Sequence, residues 1–520
     1  MRKRRPGSSS AKPPGEAERA GKLLALSRNE QALMCQLPRG VALWRVARAR
    51  SWSSMSSVPR NGRSPTLTVL CGSLPFISLR LRTRLAVVAG GGLGALSRAT
   101  GRGSGSVVGG HAILAIDPSA LERLSAGMQV ALVSGTNGKT TTTKLLACAI
   151  GAGGQRPVVT NLLGANLPAG LAAALATGGA GAIAVLEVDE AWLPKVAASV
   201  RPAVVVLLNL SRDQLDRNNE VRHVAQRWRN ACEQLPPGAV VVANSDDPLV
   251  VWAASAAKRV TWVGAGLRWN SDATGCPQCG GPIVFEAEGG WKCSSCDFSR
   301  PVADISLGRD AGQPCFVLAS GERRALALNL PGRCNQSNAV MALAAVLGLG
   351  GDITAALDAM TDVREVAGRY ATVEVGGVHA RFLLAKNPAG WAEVFDMLSP
   401  APTPVVIAIN ARTADGHDPS WLWDVPFELL RGRPVTATGE RGLDLAVRLH
   451  YGEVDHTVEP SVSEALRKIA AGQGVGVVQQ VDVVANYTSF HQALAALRKG
   501  GPDVTGAPSP AGSSNGGATP

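Results

Sequence analysis

Four stretches of the chain are built around apolar runs with no polar residue between them: VALVS (130–134), AIAVLEVDE (182–190), PAVVVLLNL (202–210) and AVVVANSDD (239–247). A strand with one face in water alternates apolar and polar residues. These runs do not, so both of their faces must be covered. PVVT (157–160) is a shorter run of the same kind, and helical sequence separates each run from the next. That succession confines this part of the chain to an α/β fold, a parallel sheet with helices on both faces. NQSNAVMALAAVLGLGG (335–351) reads as a helix closed by glycine. After a break near Ala367–Arg369 a second α/β series follows, with strands in ATVEVGG, ARFLLAKN, TPVVIAINA (403–411), PVTATG and VGVVQQVDVVANY. The expected domains are a large one over 78–365 with an insert at about 270–300, and a smaller Rossmann-like one over 366–500; residues 501–520 read as a flexible tail.

The net charge of +12 does not describe this body. Residues 1–77 hold 14 Lys/Arg against three Glu, which leaves residues 78–520 near +1. A near-neutral body speaks against nucleic acid as a partner. The basic segment reads as a disordered tail or as sequence upstream of a mis-assigned start, ahead of a transit peptide whose composition it shares. No apolar run reaches the ~18 residues of a spanning helix. Leu79–Leu96 reads as a helix, within which GGGLGA (90–95) matches a dinucleotide-binding fingerprint in form. The Gly/Ser-rich 101–110 is not expected to supply the helix that such a fingerprint needs, so close packing of small residues is the expectation.

SGTNGKTTTTKLL (134–146) places a glycine-rich turn between a strand and a helix. Backbone N–H groups and a helix N-terminus can hold phosphate there, with Lys139 reaching the β/γ-phosphates and the Thr140 hydroxyl a Mg²⁺ ion. The first glycine is Gly135, because Val133 stands where the strict loop pattern has glycine. A second hard ligand is expected from VLEVDE, with Glu187 chosen as the first acid past the apolar run and Asp189 and Glu190 read as acids of a surface loop. Asp213 and Asp216 in NLSRDQLDR share one helical face near the same sheet edge. Cys276-x2-Cys279-x13-Cys293-x2-Cys296 has the spacing of a closed, structural Zn²⁺ site. In NARTADGHDPSWLWD (410–424), Asp415, His417 and Asp418 could orient an imidazole or bind metal, and Trp421 and Trp423 suggest a surface that packs or meets a partner.

These motifs in this order, together with TNLLGANLPAG, LEVDEAW, ANSDDP, PGRCNQSNAVMA, AGRYATVE and LAKNPAGW, resemble the Mur ligase family over roughly 79–500. The cysteine insert and ADGHDPSWLWDVPFE are similar to the MurT-type subunit of lipid II isoglutaminyl synthase. The resemblance implies a central ATPase domain with an inserted zinc ribbon, and an ATP-dependent ligase that activates a carboxylate as an acyl phosphate. It implies amidation of the D-glutamate of the lipid II stem peptide to D-isoglutamine, with ammonia supplied by a GatD-like glutaminase in a heterodimer. The chain has no recognisable glutaminase nucleophile motif of its own. By the same resemblance Gly135, Thr136, Asn137, Gly138, Lys139, Thr140 and Thr141 hold ATP phosphates and Mg²⁺, Glu187 binds Mg²⁺, and Asn335 and Asn338 belong to the ATP site. Arg369 opens the C-terminal domain, and Asp418, with Asp415 as the fallback, completes the partner's Cys–His pair. Two departures from general Mur ligases are Asp213-Gln214 for Asp-His and Lys386-Asn387-Pro388 for His-Asn-Pro. The implied location is the bacterial cytoplasm, at the inner face of the membrane where the lipid-linked substrate lies. The rival expectations are a stand-alone ligase adding an amino acid and a non-catalytic ATP-binding scaffold.

Overall fold

The computed structural model describes residues 74–100, 105–154, 156–161, 165–212, 221–286, 289–364, 369–472 and 479–500. The basic segment 1–73, the tail 501–520, and Asp213, Gln214 and Asp216 lie outside the described residues.

The chain enters through two helices, α1 (Leu74–Ala99) and α2 (Ser106–Ile116). Their backbones touch at glycines. A Cβ on Gly90 would lie 2.7 Å from the Gly109 carbonyl oxygen, and one on Gly94 2.9 Å from that of Gly105. The GGGLGA run thus packs helix on helix, as its small residues suggest. The expectation of no helix through 101–110 is corrected, since α2 begins at Ser106.

A large sheet follows, built from β1 (Gln129–Ser134), β2 (Val158–Thr160), β3 (Ile183–Glu187), β4 (Val204–Leu207), β5 (Val240–Asn244) and β6 (Val260–Gly264). β7 (Ile283–Phe285) and β8 (Trp291–Cys293) then form a separate antiparallel hairpin, after which β9 (Ile305–Asp310), β10 (Gln313–Leu318) and β11 (Arg323–Ala325) return to the large sheet. Among the described residues its order is β11-β10-β9-β6-β5-β4-β1-β3-β2. The strands from β9 through β2 run parallel, and β10 and β11 extend the β9 edge in antiparallel pairing that the sequence reading did not place. The reason the inner strands lack alternation is plain. In β1, Leu132 packs into the cluster on one face and its neighbour Val133 into the cluster on the other, both fully buried. Removing the Leu132 side chain to alanine costs about 2–5 kcal/mol in such a setting, and Val133, with fewer carbons to lose, costs less.

Three helices of this part bear on the site: α3 (Lys139–Ala152), α4 (Val221–Glu233) and α5 (Arg333–Gly348). α5 buries Ala339–Val346 in succession against the sheet, so its first turn is fixed in position over the cleft.

A smaller sheet comprises β12 (Tyr370–Val375), β13 (Val378–Leu384), β14 (Val405–Ala408), β15 (Val435–Thr438), β16 (His456–Val458) and β17 (Gln479–Ala485), in the order β12-β13-β17-β14-β15-β16. Only β12 is antiparallel to its neighbour. Helices α6 (Pro388–Met397) and α7 (Gly442–Tyr451) pack on the face that holds Trp391, Trp421 and Phe427.

Candidate active site

β1 delivers the chain into the turn Gly135–Gly138, and α3 leaves it. Gly138 sits at φ 87°, a left-handed conformation that favours glycine, and a Cβ there would lie 2.4 Å from Asn338 Oδ1. The turn therefore lies directly against α5. Gly138 caps α3 without any side-chain hydrogen bond. The first-turn N–H groups of α3 have no carbonyl one turn earlier to bond, and the helix dipole favours an anion at that point.

The other half of the turn is braced. Thr136 N–H donates to Asn209 O (2.9 Å), Asn137 N–H to Asn209 Oδ1 (2.9 Å), and Asn209 Nδ2 returns a bond to Asn137 O (3.0 Å). Thr136 Oγ1 exchanges hydrogen bonds with Ser211. Of the seven loop residues predicted to hold phosphate, Thr136 and Asn137 thus have their backbone donors occupied, and Gly138 through Thr141 form the helix start. Asn209 is a residue the sequence reading missed; its signal was its place at the end of an apolar strand.

Lys139 is buried, and its Nζ lies 2.5 Å from Gly135 O, 3.2 Å from Thr136 O and 2.9 Å from Glu190 Oε2. Glu190, read from sequence as a surface acid, is instead the counter-ion of Lys139. The fully buried Trp228 of α4 holds it there, its indole N–H donating to Glu190 O at 2.9 Å. Glu187 ends β3 beside Val133 and is buried, its main chain held by Asn161 and its Oε1 3.5 Å from Asn166 Nδ2. Burial pushes the Asp189 carboxyl up, and the neighbouring Glu190 adds to the effect.

A cleft open to solvent runs between the large-sheet and small-sheet parts. Its walls include Asn137, Gly138, Thr140 and Thr141 from the loop, Asn335 and Asn338 from α5, and Arg369 at the start of the second part. These seven predicted residues are brought together. Gly135, Thr136, Lys139 and Glu187 are not among its lining groups. The amides of Asn137 and Asn387 face each other across the cleft, at 3.3 and 3.4 Å, and Asn387 also caps α6 by accepting from Gly390 N–H. Glu393 of α6 lines the same cleft; burial first, then the Asp396 charge, raise its carboxyl to about 7, against the pull of Arg268 and Arg333. Protonation of Glu393 therefore stabilises the fold. That contribution is complete below about pH 4.5 and is lost as pH rises through about 7. Glu393→Gln is expected to flatten the pH dependence of Tm between these values and to raise Tm at pH 8, in thermal unfolding followed by circular dichroism.

In the DPSW loop the two candidate acids part company. Asp415 is buried and accepts from Thr488 N–H (2.9 Å), from the Thr488 hydroxyl and from Arg412 N–H (3.3 Å). Asp418 is exposed, with Oδ1 accepting from Ser420 N–H at 2.8 Å. His417 is also exposed, with Nδ1 3.1 Å from Ala411 O. Trp421 enters the core, whereas Trp423 is 55% exposed and packs edge-on against Tyr451 of α7, 5.6 Å between ring centroids.

The four cysteines converge as their spacing predicts: the Sγ atoms of Cys276, Cys279, Cys293 and Cys296 all lie within 4.8 Å of one another. Four thiols at that separation suit one tetrahedral Zn²⁺. Trp291 docks the hairpin on the large-sheet part, its indole N–H donating to Ser245 O at 3.0 Å. Cys293→Ser is expected to abolish zinc binding and to cost about 3 kcal/mol or more, since a structural zinc site supplies folding energy outright. Elemental analysis and denaturant unfolding check both, with Cys148→Ser unchanged as the control.

Comparison with known proteins now bears on this geometry. The Mur ligase middle domain matches residues 133–274 and the MurT ligase C-terminal domain residues 384–490. The lipid II isoglutaminyl synthase (glutamine-hydrolyzing) subunit MurT of Streptococcus pneumoniae is 30% identical over 398 residues, covering 71% of this chain and 87% of the relative. The chain belongs to the MurT family of Mur ligases. The Staphylococcus aureus MurT subunit is 28% identical over 78% of this chain and 95% of its own. Among solved structures, a pseudomurein peptide ligase type C from Methanothermus fervidus has a TM-score of 0.56 at 18% identity, covering 72% of this chain and 79% of that one. MurF from Thermotoga maritima in complex with ADP has a TM-score of 0.51 at 15% identity, covering 74% of this chain and 83% of that one. As a MurT-family protein, the chain has the Mur ligase fold and is a ligase of peptidoglycan synthesis.

Proposed function

We propose that this chain is the catalytic subunit that amidates the D-glutamate of the lipid II stem peptide to D-isoglutamine. A GatD-like glutaminase supplies the ammonia, and the reaction takes place in the bacterial cytoplasm at the inner membrane face. The observation that carries the reading is the meeting of an uncapped helix start, the α5 asparagines and Arg369 on one cleft between two parts of the chain. A nucleotide fits that donor set. Its phosphates would lie at Gly138–Thr141, with Asn335 and Asn338 beside them, while the Thr140 hydroxyl and the Glu187 carboxylate would hold Mg²⁺.

The carboxylate is a poor electrophile. In this reading one of its oxygens attacks the γ-phosphorus, ADP leaves, and neutral ammonia displaces phosphate from the acyl carbon to give the amide. Positioning and cation stabilisation do most of such a reaction. Lys139 is a buried cation of the loop itself; to reach a phosphate its ammonium exchanges the Gly135 and Thr136 carbonyls for phosphate oxygens while the ion pair with Glu190 is kept.

Asp418, exposed in its loop, is the group available to a partner's Cys–His pair, whereas the Asp415 carboxylate is taken up within the fold. Trp423, five residues on, packs against Tyr451 and with the α7 side chains Leu443, Val447 and Tyr451 gives exposed apolar surface, at 55, 73, 50 and 71% exposure. Trp423→Glu is expected to weaken binding of the glutaminase about 30-fold or more, the size of a tryptophan hot spot, in an interferometry titration.

The acyl phosphate has its own test. With ¹⁸O in the D-glutamate carboxylate, turnover is expected to place one ¹⁸O in the released phosphate. Phosphate free of label sinks the acyl phosphate.

A further inference from the structure

Helix α1 wears its large apolar side chains on the outside. Its buried side chains are small: Thr83, Ala86, Gly90, Gly94 and Ser97 recur at spacings of three and four and form the face against α2. At 100° per residue, Leu81, Leu85, Val88 and Leu96 fall within about 80° of arc on the opposite side. Their exposures are 54, 58, 73 and 60%. A helix on a water-facing surface has the reverse arrangement.

The charges beside this stripe are of one sign. α1 contains no Asp or Glu, and the exposed Arg82 and Arg84 border the stripe, one on each side. Among the described residues no helix is long and apolar enough to cross a membrane. An apolar stripe bordered by arginine in a helix that cannot span is the pattern of one lying in the plane of a bilayer surface.

We propose that the Leu81–Leu96 face of α1 docks on an anionic lipid bilayer. Charge complementarity selects this occupant over the others. Residues 1–73 bring 14 Lys/Arg against three Glu, so they repel an arginine-bordered face and are drawn to the same anionic surface. A second copy of the chain would set arginine against arginine across a two-fold axis. Docking itself does not depend on the substrate; its use, presenting the cleft to a lipid-linked substrate, rests on the function proposed above.

The test uses the full chain in flotation with vesicles of phosphatidylglycerol and phosphatidylcholine, compared with phosphatidylcholine alone. Wild type is expected to float with the anionic vesicles. The double variant Leu85→Glu/Val88→Glu is expected to bind at least about tenfold more weakly, the scale of losing two buried aliphatic side chains. Its melting curve should be unchanged, because both positions are exposed. Val88→Trp, which adds an interfacial aromatic, is expected to bind more tightly than wild type. Equal binding by wild type and both variants means that the basic tail binds alone, and overturns the proposal. So does a wild-type dimer in sedimentation velocity that the glutamate variant dissolves. Vesicle binding that follows α1, in a protein that amidates no lipid-linked substrate, upholds the docking surface and removes the substrate reading instead.

Discussion

Asp418→Asn is expected to lower glutamine-driven amidation by about 10³–10⁴-fold, the loss seen when the orienting carboxylate of a catalytic triad becomes an amide, and to leave ammonia-driven amidation unchanged. The split follows from where the residue sits. Its carboxylate is exposed in the loop, among the described residues it accepts a local bond from Ser420 N–H, and it does not line the cleft. An asparagine Oδ1 can still accept that bond, so the loop keeps its shape while the charge is lost. Asp415→Asn behaves differently. It puts an amide where the Thr488 hydroxyl and two backbone N–H groups converge, and is expected to lower Tm and both activities together. If Asp418→Asn loses both nitrogen sources, Asp418 belongs to the ligase chemistry and not to the partner.

Lys139→Ala is expected to abolish both, by about 10³-fold or more in kcat/KM, as when a cationic clamp is removed from a phosphoryl-transfer site. The buried ammonium rests on two carbonyls of the loop and on Glu190, and meets a phosphate by giving up the carbonyls while the ion pair holds it beside the loop. Lys139→Arg is expected not to restore activity, because a planar guanidinium cannot make the same three-way contact in that space. Glu190→Gln should lower activity less and shift the nucleotide Kd downward, as it removes a negative charge and frees the ammonium for phosphate while leaving it less well positioned. Calorimetric titration with ATP separates the two: binding largely kept in Lys139→Ala would move the lysine's role away from the phosphates.

Much of the scaffold was legible because burial on both faces writes itself into composition. Leu132 and Val133 have to be apolar together, since they enter opposite clusters. The cysteine cluster was legible for a different reason: a metal site needs fixed spacing, and chance seldom supplies it. The errors fall where strand periodicity stops. β3 ends at Glu187, and the chain then turns, with Trp192 N–H bonding back to Asp189 O. Past that point alternation no longer tells which acid faces which side, so Glu190 could not be matched to Lys139. What decides it is Trp228, 38 residues further on. The choice between Asp415 and Asp418 likewise depends on Thr488, 73 residues from Asp415. α2 was missed because Gly and Ser at 101–110 argue locally against a helix, while glycine contact with α1 makes one favourable.

The central claim is tested most directly by incubating the purified chain with ATP, Mg²⁺ and lipid II, with and without a co-expressed GatD-like glutaminase, and reading the product by mass spectrometry. The account predicts a decrease of about one dalton, carboxylate to amide, with ammonium in either sample and with glutamine only when the partner is present. No change with ammonium, together with the mass gain of an added amino acid, would make the chain a stand-alone ligase; ATP binding with no product from either nitrogen source would make it a scaffold.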